Sequence, residues 1–244
     1  MARALAALSP ADTAAIDRDF RKRAQSVLAI DVMIGQLQAA VAAIGATDNT
    51  YFVFSSDNGY HMGEHRLLPG KMTAFDTDIH VPLVVTGPGV VQGRTLDELV
   101  ENIDLCPTFA ELAGVAIATT ADGHTLVPLL RGEPIQGWRD LALVEHHGPL
   151  DHEADDPDAP GIRSGNPPSY GAIRAREWVY VEYEDGTREY HDRTSDPYEL
   201  QNTFWSLTPV TRQSLHVALT ALQACQGAQA CWESAGFPPA SPAK

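Results

Sequence analysis

Apolar side chains recur at helical spacing over residues 9–44 and predict one long amphipathic helix. Ser9 suits the N-cap and Pro10 the first helical position, and Gly45 follows where the helix would end. The basic run of residues 21–23 faces away from the apolar positions. That run fits either an anion site or a solvated helix face. The apolar positions are Ile16, Phe20, Val27, Ile34, Leu37, Val41 and Ile44.

Short apolar runs at residues 51–55, 81–86 and 141–145 predict buried strands. The first two runs enclose a long polar loop and follow a helix. This order favours an α/β fold with a mostly parallel sheet flanked by helices. Residues 102–113 predict a helix, in which Cys106 would be a buried small side chain, and residues 123–132 predict a connecting turn.

The pattern changes after residue 150. Residues 151–168 are acidic and rich in Pro and Gly, and they predict a surface loop. Three alternating runs (169–176, 177–184 and 188–191) then predict a small antiparallel sheet, with a hairpin turn at Asp185-Gly186. A helix over residues 209–224 completes this part. We therefore expect two domains, the α/β part over residues 1–150 and the sheet-plus-helix part over residues 151–244.

The charge and composition of the chain disfavour several classes of function. The 244 residues carry a formal net charge of −15, which disfavours binding to nucleic acids and to anionic membranes. We find no run that approaches the roughly 20 apolar residues of a membrane span. The first ten residues are too short and too soon interrupted for a secretory signal. Localisation therefore stays open.

The loop after the first predicted strand holds the candidate chemistry. Asp57 and Asn58 offer a carboxylate and a carbonyl, the oxygen ligands that Ca²⁺ or Mg²⁺ prefers. Lys71 adds a cation that could hold an anionic substrate group. The alternative is that Asn58-Gly59 is only a hairpin turn. His61 and His65 are spaced like zinc ligands, but no third ligand accompanies them.

Residues 55–71 (SSDNGYHMGEHRLLPGK) and 78–89 (DIHVPLVVTGPG) resemble the C-terminal half of the sulfatase family, closest to its arylsulfatase and N-acetylglucosamine-6-sulfatase branch. Residues 23–31, 196–202 and 225–231 extend the resemblance in order along the chain. It implies part of an alkaline phosphatase-like fold. It also implies a sulfuric ester hydrolase that acts on sulfated sugars or aryl sulfates with Ca²⁺, or alternatively Mg²⁺.

The resemblance also implies roles for individual residues. Asp57 and Asn58 would complete a Ca²⁺ site whose other ligands lie upstream, and Lys71 would contact the sulfate group. His61 and His65 match positions near the active-site loop and would contact substrate or donate a proton. The segment with Cys225 and Cys231 forms a disulfide in secreted relatives, whereas the spacing alone fits reduced thiols equally well. His146 and His147, after the third strand, are further candidates to line the pocket.

The family's nucleophile is a formylglycine made within a C/S-x-P/A-x-R motif upstream of these segments. None of Cys106, Cys225 and Cys231 is followed by that pattern. We therefore expect the chain to be the C-terminal half of a sulfatase, inactive alone and completed by an N-terminal half. Full-length relatives are commonly exported. The alternatives are a non-catalytic truncated protein and a phosphoric ester hydrolase of the alkaline phosphatase-like superfamily.

Overall fold

The structure is a computed structural model that describes residues 5–116, 120–135, 137–148 and 163–236. Within these ranges lie six α-helices, four short 3₁₀ helices and six strands. The helices are α1 (Pro10–Ala43), α2 (Asp76–Ile79), α3 (Leu105–Leu112), α4 (Val127–Arg131), α5 (Pro209–Ala224) and α6 (Ala228–Ala235). The strands are β1 (Phe52–Ser55), β2 (Leu83–Thr86), β3 (Leu141–His146), β4 (Tyr170–Ala175), β5 (Trp178–Tyr183) and β6 (Arg188–Asp192).

Helix α1 begins as its sequence predicts. The Ser9 hydroxyl accepts from the Asp12 backbone N–H at 3.1 Å, and the Asp12 carboxylate accepts from the Ser9 N–H at 2.9 Å. This reciprocal capping box satisfies donors that the first helical turn leaves free. Ile16 is the only side chain of α1 that is buried in the described part of the chain. The long helix is therefore confirmed, and most of its apolar positions are exposed.

Strands β1 and β2 pair antiparallel, from Phe52 opposite Thr86 to Ser55 opposite Leu83. The α/β class is confirmed, but the expectation of a mostly parallel sheet is wrong for the described strands. Parallel neighbours need a crossover connection that returns the chain to the same end of the sheet. The connection here contains only the short 3₁₀ helix Glu64–Arg66 and the four-residue helix α2, and it reverses the chain instead.

The second sheet has the order β3-β4-β5-β6, with every neighbouring pair antiparallel. The predicted C-terminal antiparallel strands and the helix that follows them are confirmed, and β3 joins the same sheet. One sheet face packs against α5 through a core that includes Leu141, Ile173, Tyr180, Leu215 and Leu219. Alternation along each strand explains this core, since every second side chain faces the helix.

The described residues form two compact units. One contains residues 5–92 and 163–166, and the other contains residues 93–148 and 167–236, apart from the gaps named above. The segment that carries α3, α4 and β3 thus packs with the C-terminal sheet. This division differs from the two domains expected from the sequence, which stay a prediction. Most of the predicted surface loop at residues 151–168 lies outside the described residues.

Several local expectations need correction. The turn expected at residues 123–132 contains α4, and α6 follows α5 beyond the last predicted helix. Cys106 is exposed rather than buried, because it lies on the outer side of α3. Helix α1 is long and apolar enough, by length and composition, to cross a membrane, so the expectation that no segment could do so is wrong by that measure.

Candidate functional site

The candidate metal ligands lie where β1 ends. Gly59 follows them and closes the turn: its N–H donates to the Asp78 carbonyl at 2.8 Å. A Cβ at Gly59 would lie 2.1 Å from the Thr77 carbonyl oxygen, so only glycine permits this close approach. The exposed Asp57 carboxylate accepts from the Asn58 backbone N–H at 3.0 Å. The turn therefore presents both oxygen-bearing side chains at one end of the strand.

Lys71 returns to the same place from the other end of the loop. His61 and Gly70 form an antiparallel bridge, with N···O distances of 2.9 and 3.1 Å. The next residue, Lys71, donates from Nζ to Asn58 Oδ1 at 3.3 Å. Two of the predicted site residues, thirteen positions apart, are thus in contact. The loop brings the candidate sulfate-binding cation beside a candidate metal ligand.

A buried histidine–aspartate pair holds this loop closed. Both carboxylate oxygens of Asp78 lie 2.9 Å from His61 Nδ1, and the two side chains are only 2% and 1% exposed. The carboxylate also accepts from the Thr73 backbone N–H at 3.0 Å and from the Thr73 hydroxyl. Because Lys71 lies between Gly70 and Thr73, contacts to the pair fix the chain on both sides of it.

This burial changes the interpretation of His61. A side chain that is 1% exposed does not reach a substrate, so the structure favours a positioning role over the substrate contact expected from the sequence. His61 Nε2 is buried without a hydrogen-bond partner among the described residues. A Cβ at Gly70 would lie 3.1 Å from this nitrogen, so glycine there leaves the imidazole its space.

His65 occupies a different environment. Its backbone has φ 54°, a left-handed conformation that few non-glycine residues adopt. Its ring stacks on Phe75 with centroids 3.5 Å apart. Glu64 orients the adjacent turn, because its carboxylate accepts from the Met62 backbone N–H. Stacking and strain place the His65 side chain without burying it, so its contact with substrate stays a prediction.

Helix α1 supports the loop from outside. The Arg23 guanidinium lies over the Tyr60 ring, 3.9 Å from its centroid. Arg66 donates to the Leu5 carbonyl at 2.8 Å, just before the helix begins. One member of the basic run in α1 therefore packs on the motif loop through a cation–π contact, which the sequence pattern did not predict.

The side chains at this site offer the type of oxygen atom that a hard cation binds, but too few of them to form a complete site. Carboxylate and amide oxygens suit Ca²⁺ and Mg²⁺, yet Ca²⁺ takes about six to eight oxygens. Asp57 and Asn58 supply two neighbouring side chains, one of which also contacts Lys71. Within the described ranges, no group of three or more His, Cys, Asp or Glu side chains is arranged to hold a metal. The zinc interpretation of His61 and His65 therefore gains no support.

The remaining candidates lie in the other compact unit. The His146 ring lies 5.3 Å from that of Tyr170, and burial lowers the pKa of His146 below its usual range. Neither it nor His147 makes a contact that assigns it a catalytic role. Cys225 and Cys231 form a disulfide, which resolves the choice that their spacing left open.

Comparison with known protein families shows the family to which the chain belongs. The sulfatase family profile matches residues 6–115, and the profile of the C-terminal part of N-sulphoglucosamine sulphohydrolase matches residues 63–224. The chain belongs to the sulfatase family. Because the first match begins at residue 6, it includes α1, which is therefore part of the family's own domain.

Among the curated proteins, the N-acetylglucosamine-6-sulfatases of Bos taurus and Homo sapiens are each 33% identical to this chain over 232 residues, which is 87% of it. The arylsulfatase of Volvox carteri is 29% identical over 245 aligned residues. The chain spans 41% of the bovine protein and 35% of the Volvox protein. It therefore corresponds to less than half of these relatives.

Solved structures give the same fold. A protein in complex with its substrate D-glucosamine-2-N,6-O-disulfate superposes with a TM-score of 0.69 at 27% identity, covering 81% of this chain and 38% of the other. A phosphonate monoester hydrolase of Agrobacterium radiobacter gives 0.68 at 31% identity, covering 80% and 39%. These likenesses confirm the partial alkaline phosphatase-like fold expected from the motifs.

Sequence reasoning missed Asp78 and Thr73, which hold the loop. Asp78 belongs to the second matched segment, but no spacing rule connects it with His61, seventeen residues earlier. The one available signal was a carboxylate at the start of an apolar run, where a charge needs a partner if it is buried. That signal shows that a partner exists but does not identify it.

Proposed function

We propose that this chain is the C-terminal part of a sulfuric ester hydrolase that acts on sulfated sugars. In this proposal Lys71 contacts the sulfate group, and Asp57 and Asn58 supply part of a Ca²⁺ site, with Mg²⁺ as the alternative. The observation that carries it is the contact of Lys71 with Asn58 inside a loop fixed by His61 and Asp78. Membership of the sulfatase family supports the reaction class.

The chemistry follows from charge. A sulfate ester is an anion, so its cleavage requires positive groups at the sulfate oxygens. A divalent cation, when bound, would neutralise part of this charge. Lys71 would supply a second positive charge, and its bond to Asn58 directs the ammonium group towards the ligand end of the loop. The nucleophile would come from a formylglycine in an upstream segment, as in the family.

The sugar is proposed from the relatives. The mammalian relatives are named for N-acetylglucosamine-6-sulfate, and the solved protein noted above holds a disulfated glucosamine.

We also propose export of the full protein. A disulfide persists mainly in oxidising compartments, and a relative of Drosophila melanogaster is named as an extracellular sulfatase.

The test is the substitution of Lys71 in the protein that carries the upstream segments. We expect K71A to lower kcat/KM for glucosamine 6-sulfate about 100-fold, the usual effect of removing one charge-stabilising donor. K22A is the control, since Lys22 is an exposed lysine on α1 and should leave kcat/KM within about twofold. The proposal for Lys71 is refuted if both variants retain wild-type activity.

The same assay tests whether the chain is active by itself. The 244-residue chain alone should show no turnover, because none of its cysteines lies in a formylglycine motif. Measurable hydrolysis by this chain would contradict that expectation.

The similarity to a phosphonate monoester hydrolase favours a second candidate for the substrate, a phosphonate or phosphate ester. Faster cleavage of a phenyl phosphonate ester than of a sulfate ester would favour it.

A further inference from the structure

An open cavity of about 440 Å³ lies between the β5–β6 hairpin and the start of α5, in the compact unit that holds the four-stranded sheet. We call it the Trp205 surface. It is defined by Glu182, Arg188, Trp205, Arg212 and His216. All these residues are described in the structure, and none belongs to the loop that carries Lys71.

An arginine stacked on aromatic rings forms the centre of this surface. The guanidinium carbon of Arg212 lies 5.1 Å from the ring centroid of Trp205 and 5.7 Å from that of Phe204. In the described part of the chain, no carboxylate forms an ion pair with Arg212. Stacking fixes the plane of the guanidinium and leaves its N–H groups at the edge available for an anion.

The neighbouring carboxylate does not cancel this charge. Glu182 is paired with Arg188 at 2.9 Å and accepts from His216 Nδ1 at 2.8 Å and from the Tyr180 hydroxyl. Its charge is thus compensated by its own partners, and Arg212 contributes a positive charge that nothing at the surface neutralises. This is a locally positive site on a chain whose formal net charge is −15.

Trp205 gives the site an exposed apolar platform. The side chain is 76% exposed, although a large aromatic ring is ordinarily buried in a monomeric domain. Phe204 beneath it is buried, and the two rings meet edge to face at 5.1 Å. The platform therefore lies beside a cation that has no carboxylate partner among the described residues. A ligand that fits needs both an apolar face and a negative group.

We propose that the Trp205 surface binds a sulfated saccharide, through residues that do not belong to the loop of Lys71. One face of a pyranose ring carries mainly C–H groups and would pack on Trp205. A sulfate group would accept paired N–H bonds from Arg212, a geometry that suits a planar guanidinium. The choice of a sulfated sugar rests on the proposed function, and the positive charge and aromatic face rest on the contacts above.

The experiment measures binding by calorimetry with a sulfated heparin tetrasaccharide and its desulfated, N-acetylated counterpart. It uses the full chain with K71A, which weakens binding at the proposed catalytic loop. We expect W205A and R212A each to lower the affinity for the sulfated probe about tenfold, the effect of losing one charge-assisted or stacking contact. The desulfated probe should bind at least about tenfold more weakly than the sulfated one.

R94A is the matched control, since Arg94 is an exposed arginine of the same compact unit and should leave the affinity unchanged. Thermal melting curves establish that Trp205 and Arg212 variants remain folded. Equal affinities of all variants would overturn the proposal, as would equal binding of the desulfated probe. Full competition by a glutamate-rich peptide would instead assign the surface to an acidic peptide. Because no hydrolysis is measured, these outcomes stand whether or not K71A abolishes activity.

Discussion

At the scale of single residues, the loop is positioned by a buried pair of hydrogen-bonded side chains. His61 and Asp78 are almost completely buried, and the carboxylate has donors on His61 and Thr73. Burying a carboxylate is costly unless such donors surround it. The pair is present in the same loop conformation in which Lys71 contacts Asn58.

Replacing Asp78 should show how much the buried pair contributes to the stability of the protein. We expect D78A to lower the free energy of unfolding by about 3 kcal/mol, because it leaves His61 Nδ1 and the Thr73 N–H buried without an acceptor. Urea unfolding at neutral pH measures the change. D78N, which keeps the volume and one acceptor oxygen, should lose less than D78A.

The matched control is D19A on α1. Asp19 and Lys22 are both exposed and lie 3.5 Å apart, and surface pairs of this kind contribute about 1 kcal/mol or less. The positioning role also predicts that D78N lowers kcat of the longer enzyme while D19A does not. Equal losses of stability for D78A and D19A would show that burial of the pair contributes nothing.

At the scale of elements, a disulfide joins the end of α5 to the middle of α6. Cys225 and Cys231 are six residues apart and enclose Gly227, whose N–H donates to the Asp122 carboxylate at 2.6 Å. Gly227 has a φ of 81°, a backbone conformation that residues other than glycine rarely adopt. The short helix α6, which sequence periodicity did not predict, thus depends on a covalent link and a glycine turn.

Removing this disulfide should loosen α6 more than the sheet. We expect the double variant C225S/C231S to lose about 2 kcal/mol, the loop-closure value for so short a ring. Hydrogen exchange should speed up at the α6 amides and change little in β4 and β5. C106S is the control, since Cys106 is exposed and unpaired in the described residues. If the α6 amides keep their protection in the double variant, the disulfide does not hold that helix.

At the scale of the whole molecule, α1 presents a large apolar surface. Leu28 is 66% exposed, and Phe20, Val27, Val32 and Leu37 are each at least half exposed. The chain spans 41% of its bovine relative, and the sulfatase profile begins within the turn before this helix. A helix of this composition normally packs against further structure. In a longer sulfatase chain, upstream segments would supply that structure.

The exposed helix predicts strong binding of an apolar dye by the chain alone. We expect the 244-residue chain to enhance 1-anilinonaphthalene-8-sulfonate fluorescence several-fold more than the longer protein does. The double variant L28E/V32E should lower this signal, because it places two charges on neighbouring turns of the apolar surface.

The variant Q36E/A40E serves as its control. It adds the same charge, with the same spacing, at two exposed positions of the same helix that carry a glutamine and a small alanine side chain. It should leave dye binding close to that of the unmodified chain. A monomeric chain with a sharply cooperative melt and no dye enhancement would contradict the expected role of α1.

The sequence by itself determined the features that depend on neighbouring residues. The N-cap of α1, the strands β1 and β2, the antiparallel C-terminal strands and helix α5 were all predictable from spacing, caps and turn residues. The motifs around Asp57, Asn58 and Lys71 likewise indicated a sulfatase, since each lies in one short contiguous stretch. These signals are local, so they do not require knowledge of how the chain folds back.

Only the tertiary structure decided which distant residues meet. The antiparallel direction of β1 and β2, the pairing of His61 with Asp78 and the stacking of Arg212 on Trp205 each join positions that no periodicity relates. Whether a carboxylate is buried beside a histidine or exposed to water depends on the packing of several elements at once. For that reason the sequence indicated which side chains carry the chemistry, while the fold decided which of them touch.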